Sequence, residues 1–250
     1  MASYLYERDI KEEDLRPVRE KHYTRRERWN NWWDYNLKWV LIAAVVIGFV
    51  GYSFIGQYLF TVHPDYNVAV VSPYYLPDDT LEALQTQLAA YGEDMNGDGE
   101  TVVTVNVYTV DYSGGGDAYL AMAGTTKLFA DVQGALSSIY ILADPAGFEE
   151  NTGALRYLDG SLPEGGSDED WWNMVYRWTD CPVLTGLELG GYGPDATQAY
   201  SGDSQEYMSR FYVAFRGAWN EGSADSIAPS EPLWQALTAG AVSTAAEDAE

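Results

Sequence analysis

The sequence holds a single cysteine, Cys181, and two histidines, His22 and His63. One thiol excludes an intrachain disulfide framework and a cysteine-rich zinc site. Two imidazoles leave little from which to assemble a histidine metal centre or a Ser-His-Asp triad. There is no G-x-S-x-G segment, so no nucleophile elbow of that type is present. Basic residues are scarce, 14 Lys and Arg against 38 Asp and Glu, and the formal net charge is −24. That balance excludes nucleic-acid binding through a broad basic surface. The 250 residues are 46% apolar and 14% aromatic, enough for a packed core and too much for wholesale disorder.

The missing basic charge is unevenly missing. Residues 1–40 carry nine Lys/Arg and eight Asp/Glu, a net of +1, whereas residues 41–250 carry five and thirty, a net of −25. Segments so different face different surroundings. Between them runs an uncharged stretch, Trp39 to Val62, whose core from Trp39 to Gly56 is 18 residues long. Roughly 20 such residues in a helix cross about 30 Å of hydrocarbon. Trp29, Trp32, Trp33, Tyr35 and Trp39 crowd one end, and Tyr52, Tyr58 and Phe60 stand toward the other, as headgroup-zone anchors do. A cleaved signal peptide is the alternative, with a leader of nearly forty residues and no small-x-small site after the apolar run. Neither an L-x-x-C lipobox nor an LPxTG motif is present.

Lys21, Arg25, Arg26, Arg28 and Lys38 lie on the amino-terminal side, and no Lys or Arg follows until Lys127. The positive-inside rule then keeps the amino terminus in the cytoplasm and exports the rest. The expected organisation is a cytoplasmic arm and juxtamembrane helix over 1–35, a transmembrane helix over 36–62, an exported α/β domain over 63–243 and an acidic tail over 244–250. The low cysteine content of an exported domain fits a bacterial cell envelope of Gram-positive type. Thr24-Arg-Arg-Glu27 reads as a capping box opening a helix that runs into the span. Trp29, Trp33 and Leu37 form an apolar stripe on it, which anchors the span or meets anionic lipid or a partner. Upstream, Tyr6–Glu20 reads as a short helix or flexible arm.

The exported part alternates strand and helix patterns. Tyr66–Ser72 is short and β-branched between Pro64 and Pro73, and Thr101–Val110 is the strongest strand pattern in the chain. Ser138–Ala143 is a third, stopped by Asp144-Pro145. Between them, Leu81, Leu84, Leu88 and Tyr91 share one helical face, and Ala118–Val132 is a helix with Leu120, Thr125, Leu128 and Phe129 near its inner side. This order predicts a mostly parallel sheet flanked by helices. Residues 146–170, rich in glycine and acid, read as loops. Tyr207–Arg216 reads as a strand, Pro232–Gly240 as a closing helix, and the tail as frayed. Trp171, Trp172, Tyr176 and Trp178 read as core or interface, and Cys181 as a small buried apolar side chain.

A strand like Asn67–Ser72, a helix like Leu81–Tyr91, and the turn Glu93–Glu100 into Val102–Val107 resemble the opening of type 2 extracellular solute-binding proteins. Ala123–Ala143 is similar to their second helix and third strand, so the likeness covers roughly residues 66–160. It implies one lobe of a fold that holds its ligand between two lobes. This chain departs from that family in having room for one lobe and in carrying a membrane span in place of a lipid anchor. The arm Tyr6–Pro17 ahead of a Trp-rich span resembles single-pass membrane proteins of Clostridia-type bacteria. That likeness implies topology and no activity.

Two sets of residues are candidates for binding. Asp94, Asn96, Asp98 and Gly99 match the D-x-[DN]-x-[DN]-G half of a calcium loop, with Glu100 placed to give a backbone carbonyl. Position 12 of that pattern, a bidentate Glu in the full motif, is Val105 here, and the same residues also make a metal-free Asn-Gly/Asp-Gly turn. The loops after the strands' carboxyl ends supply Tyr74, Tyr75, Asp111, Tyr112 and Asp144, where an open parallel sheet holds a sugar, a peptide or another small extracellular ligand. The other reading of these rings is that they cap the sheet. No enzymatic activity is expected: Glu149/Glu150 and Asp168/Glu169/Asp170 are neighbours in polar loops and read as solvated charge. The sequence thus predicts a tethered recognition domain or a structural envelope component steadied by calcium. The bilayer, and a small ligand or a membrane protein, are its partners.

Overall fold

The structure, a computed structural model, describes residues 23–60, 63–114, 118–163, 170–194, 200–219 and 221–248. The arm Tyr6–Glu20, His22, and the Asp168/Glu169 pair lie outside the described residues. The chain divides into two compact units, Met1–Val62 and His63–Glu250.

In the first unit the capping box forms as read. The Thr24 N–H donates to Glu27 Oε2 at 2.8 Å and the Glu27 N–H returns to Thr24 Oγ1 at 3.3 Å. From there helix α1 runs unbroken over Arg25–Phe60, 36 residues, a length of about 54 Å at 1.5 Å per residue. Among the described residues it is the one helix long and apolar enough to cross a membrane; a signal sequence would meet the same test. Ile42, Val45, Ile47, Phe49 and Phe54 are exposed along it. Trp32 joins the predicted stripe: the rings of Trp29, Trp32 and Trp33 stack with centroids 5.6–6.3 Å apart.

The second unit is built on a five-stranded sheet, β1 (Tyr66–Ser72), β2 (Val103–Thr109), β3 (Ile139–Leu142), β4 (Val175–Arg177) and β7 (Tyr212–Phe215), in the order β2-β1-β3-β7-β4. β1 runs parallel to β2 and β3, with Val68 opposite Val105 and Ile139. β7 returns antiparallel to β3, and β4 antiparallel to β7. A separate two-stranded ribbon pairs β5 (Gly191–Tyr192) with β6 (Gly202–Asp203). The helices are α2 (Asp78–Ala89), α3 (Ala118–Gly134), α4 (Pro145–Thr152), α5 (Pro182–Thr185), α6 (Ser204–Met208), α7 (Glu221–Ile227) and α8 (Glu231–Leu237).

Strand period decides the layering. Val68 and Val70, Ile139 and Ile141, Val213 and Phe215 enter one apolar cluster, with Leu84 and Leu88 of α2, Trp178, and Leu233, Trp234 and Leu237 of α8. The alternate residues Ala69, Val71, Tyr140, Leu142 and Ala214 enter a second, with Leu128 and Val132 of α3 and Phe148 of α4. Both faces of the sheet are therefore covered, as a parallel sheet requires. Cys181 is buried in the first cluster.

Several expectations are corrected. Residues 145–152 form α4 where a loop was expected: Asp144 caps it by accepting the Gly147 N–H at 2.9 Å, Pro145 fits its first turn, and Gly153 closes it with φ +55°. The expected strand 207–216 begins with the end of α6, and only Tyr212–Phe215 is strand. Asp203 caps that helix through the Glu206 N–H at 3.0 Å. Phe129 and Tyr91 are exposed and Leu81 is only half-buried. The inner line of α3 is instead Gly124, Leu128, Asp131 and Val132. There the helix crosses β2 so closely that a Cβ on Gly124 would lie 1.9 Å from the Thr109 carbonyl oxygen.

The tail also departs from expectation. Ala245–Asp248 forms a 3-10 turn with Ala245 fully buried. Arg177 of β4 donates its Nε to Asp248 Oδ2 at 2.6 Å and Nη1 to Glu247 Oε2 at 3.1 Å. Tyr212 donates to Asp248 Oδ2 at 2.5 Å, and Thr244 donates its N–H and hydroxyl to Asp180 at 2.8 and 2.7 Å. Pairs with fixed basic and hydroxyl partners override the solubility of an acidic tail.

Two outcomes follow. Gly124→Ala forces α3 off β2 and should cost about 1–3 kcal/mol, read as a lowered melting temperature of the whole chain in detergent. The Arg177 guanidinium, and then the Tyr212 hydroxyl, hold the Asp248 carboxyl below its usual range. The clamp is therefore at full strength above the unfolded carboxylate value of about 3.9 and is lost as pH falls through the lower folded value. Hydrogen exchange at 243–248 should rise on acidification below about pH 4. Arg177→Ala should remove that pH dependence; because Asp248 is about a third exposed, the stability at stake is under about 1 kcal/mol.

Candidate functional site

The parallel strands end together at Ser72, Thr109 and Leu142, and the loops leaving those ends line a pocket of about 100 Å³. Pro73 comes from the loop after β1, Asp111, Tyr112 and Ser113 from the loop after β2, and Asp144 from the loop after β3. Asp144 is fixed by its capping bond to α4, and the Asp111 carboxylate accepts the Ser113 N–H at 2.8 Å and its hydroxyl at 2.6 Å. The Tyr112 ring lies against Gly147, where a Cβ would come within 2.8 Å of it. Its hydroxyl is buried and has no hydrogen-bond partner among the described residues. Burial, and then the Asp144 charge, push that phenol far up, so it stays protonated.

Three of the five predicted ligand residues thus come together. Tyr74 and Tyr75 do not line this pocket. The Tyr75 hydroxyl donates to Asp78 at 2.6 Å, its carbonyl accepts the Tyr207 hydroxyl at 2.9 Å, and Tyr74 is exposed. Among the described residues the pocket presents two carboxylates and no basic side chain. Chemically it suits a small positively charged group.

The acidic loop is closed on itself. Asp94 accepts the Gly97 N–H at 2.6 Å and the Gly99 N–H at 2.8 Å, Asn96 accepts the Asp98 N–H at 2.9 Å, and Asp98 accepts the Glu100 N–H at 2.9 Å. Gly97 and Gly99 take φ +77° and +94°, which glycine adopts freely. Asp65 ties the loop to β2 by accepting the Met95, Asn96 and Val102 N–H groups at 2.7–3.0 Å. Val105, at position 12 of the calcium pattern, is buried in β2. Among the described residues no group of three or more His, Cys, Asp or Glu side chains is gathered to hold a metal ion.

A buried polar network was not foreseen. Asp131 of α3, 1% exposed, accepts the Tyr108 hydroxyl at 2.7 Å, the Ser137 hydroxyl at 2.6 Å and N–H at 3.2 Å, and the Tyr140 hydroxyl at 3.4 Å. Arg216, also buried, donates to the Tyr140 hydroxyl at 3.2 Å and to the Val132 carbonyl. The sequence signal was an acid three residues after Leu128 on the inner stripe of a helix. The expectation of solvated charge at Glu149 also fails. Its side chain is 2% exposed and accepts the Leu155 N–H at 3.0 Å, whereas Glu150 is exposed. Asp131→Ala leaves the Tyr108, Ser137 and Tyr140 hydroxyls without that acceptor, and should cost about 1–3 kcal/mol in denaturant unfolding. Asp131→Asn, which keeps an acceptor, should cost less.

The chain matches no family model, no curated protein and no solved structure.

Proposed function

We propose that the chain is a single-pass bacterial envelope protein, amino end in the cytoplasm, that displays a non-catalytic recognition domain outside the cell. In this reading the domain is comparable to one lobe of a solute-binding protein, the bilayer is its anchor, and its ligand is small or part of a membrane-protein partner. What carries the reading is the convergence of Asp111, Tyr112 and Asp144 at the carboxyl ends of parallel strands, around a pocket with no basic group. The ligand end that suits it is an ammonium group. The length and composition of α1 and the basic residues preceding Trp39 support the topology.

The test is thermal melting of the full chain in nanodiscs with putrescine, lysine and choline, beside glucose as a neutral control. An amine should raise the melting temperature by a few degrees, and Asp111→Asn with Asp144→Asn, which keep the capping geometry, should abolish the rise. No shift with any amine, or a shift that survives both substitutions, overturns the reading. Protease added to intact cells should digest the domain; protection would overturn the topology.

A second reading makes the domain a structural envelope component steadied by calcium. It is favoured by side-chain oxygens of Asp94, Asn96 and Asp98 spaced two apart in one loop with two left-handed glycines. EDTA should then lower the melting temperature and calcium restore it; an unchanged melt leaves a metal-free turn.

A further inference from the structure

A second hollow of the unit His63–Glu250, roomier than the one at the strand ends, lies elsewhere. It measures about 390 Å³ and is walled by three chain segments: Tyr157–Asp159, the 3-10 turn Trp171–Asn173, and the stretch from Ser243 to Ala246. The walls are fastened to one another and to the sheet. The Leu158 N–H donates to the Asn173 carbonyl at 2.9 Å, Tyr157 donates its hydroxyl to Asp170 at 3.0 Å, and the Ser243 hydroxyl donates to the Val175 carbonyl at 3.0 Å. The Arg177 clamp on Glu247 and Asp248 holds the third wall from behind. The hollow is therefore formed before any ligand arrives, and its size falls in the range of small-molecule sites, roughly 300–1,000 Å³.

Its lining has a particular chemistry. Tyr157 and Trp172 are half-buried and supply aromatic surface. Asn173 and Asp159 are exposed at the rim. Asn173 brings an amide that both donates and accepts. Ser161 binds Asp159 through Oδ1, which leaves Oδ2 to accept. Among the described residues no Lys or Arg lines the hollow, and the chain beyond residue 40 carries a net charge of −25 from five basic and thirty acidic residues. A phosphate, a carboxylate or an acidic polymer is repelled from such a place. A sugar ring is not: its C–H face stacks on an aromatic side chain, and its neighbouring hydroxyls pair with an amide and a carboxylate.

From this geometry we infer a second binding site, distinct from the strand-end pocket, that takes one or two rings of a neutral saccharide between Trp172 and the Asn173/Asp159 rim. The site does not depend on the function of Asp111 and Asp144. Its occupant would be a glycan chain reaching the domain from the surrounding envelope.

Calorimetric titration of the full chain in nanodiscs with chitotetraose, cellotetraose and maltotetraose tests this. At least one should bind saturably with a Kd of millimolar or tighter. Trp172→Ala and, separately, Asn173→Ala should each weaken it tenfold or more. The Asn173 variant removes only an exposed side chain and keeps the backbone bonds of the turn, so it reads out the site even where loss of the Trp172 ring unfolds the wall. Asp144→Asn should leave saccharide affinity unchanged, which separates this site from the strand-end pocket. Failure of all three saccharides to bind, or binding that Asn173→Ala does not weaken, overturns the proposal, as does a peptide competing for the hollow where no sugar binds.

Discussion

The unit His63–Glu250 hangs together through a carboxylate buried where an apolar residue would be expected. Asp131 stands on the inner stripe of α3 and gathers hydroxyls from β2, β3 and the turn between α3 and β3. Arg216, at the end of β7, reaches the same Tyr140 hydroxyl and the last turn of α3. A buried carboxylate without hydrogen-bond donors is expensive, so one that gathers three hydroxyls favours the single docking of the helix on the sheet that brings them to it. The parallel half of the sheet and the antiparallel half meet at β3 and β7, and this network lies across that junction. The placement of the parallel strand ends, and so of the pocket between their loops, follows from it.

What the sequence made legible was whatever repeats. The β-branched run Tyr66–Ser72 between two prolines marked a strand, and the alternation of Phe211, Val213 and Phe215 marked one face, all three of the latter residues lying in the first cluster. The long helix was legible from its unbroken apolar run and its capping box. Short elements were less so, because a helix of eight residues or fewer is decided by its caps and its packing more than by its period. The signals at Asp144-Pro145 and Gly153 were present but stood among glycines and acids that read equally well as loop. The α6 segment was hidden for the same reason: its five residues, Ser204–Met208, run directly toward the alternation of Phe211, Val213 and Phe215.

Of the site, the sequence could name which loops leave the strand ends, since the topology of a parallel sheet dictates that. It could not say which side chains turn toward one another. Tyr74 and Tyr75 leave the same edge as Pro73 but are drawn away by Asp78 and Tyr207, residues of α2 and α6. The walls of the larger hollow come from segments far apart in the chain, Tyr157, Trp172 and Ser243, and no local pattern joins them. Only the folded chain does.

The docked turn Ala245–Asp248 has a consequence for the open edge of the sheet. β4 is a three-residue strand at the margin of the sheet, with backbone groups that invite a neighbouring polypeptide to lengthen the ladder. Ser243 occupies one of its carbonyls, and two carboxylates on Arg177 fringe it with negative charge. Two copies meeting edge to edge would be repelled along that border, which guards the sheet there against fibrous self-association.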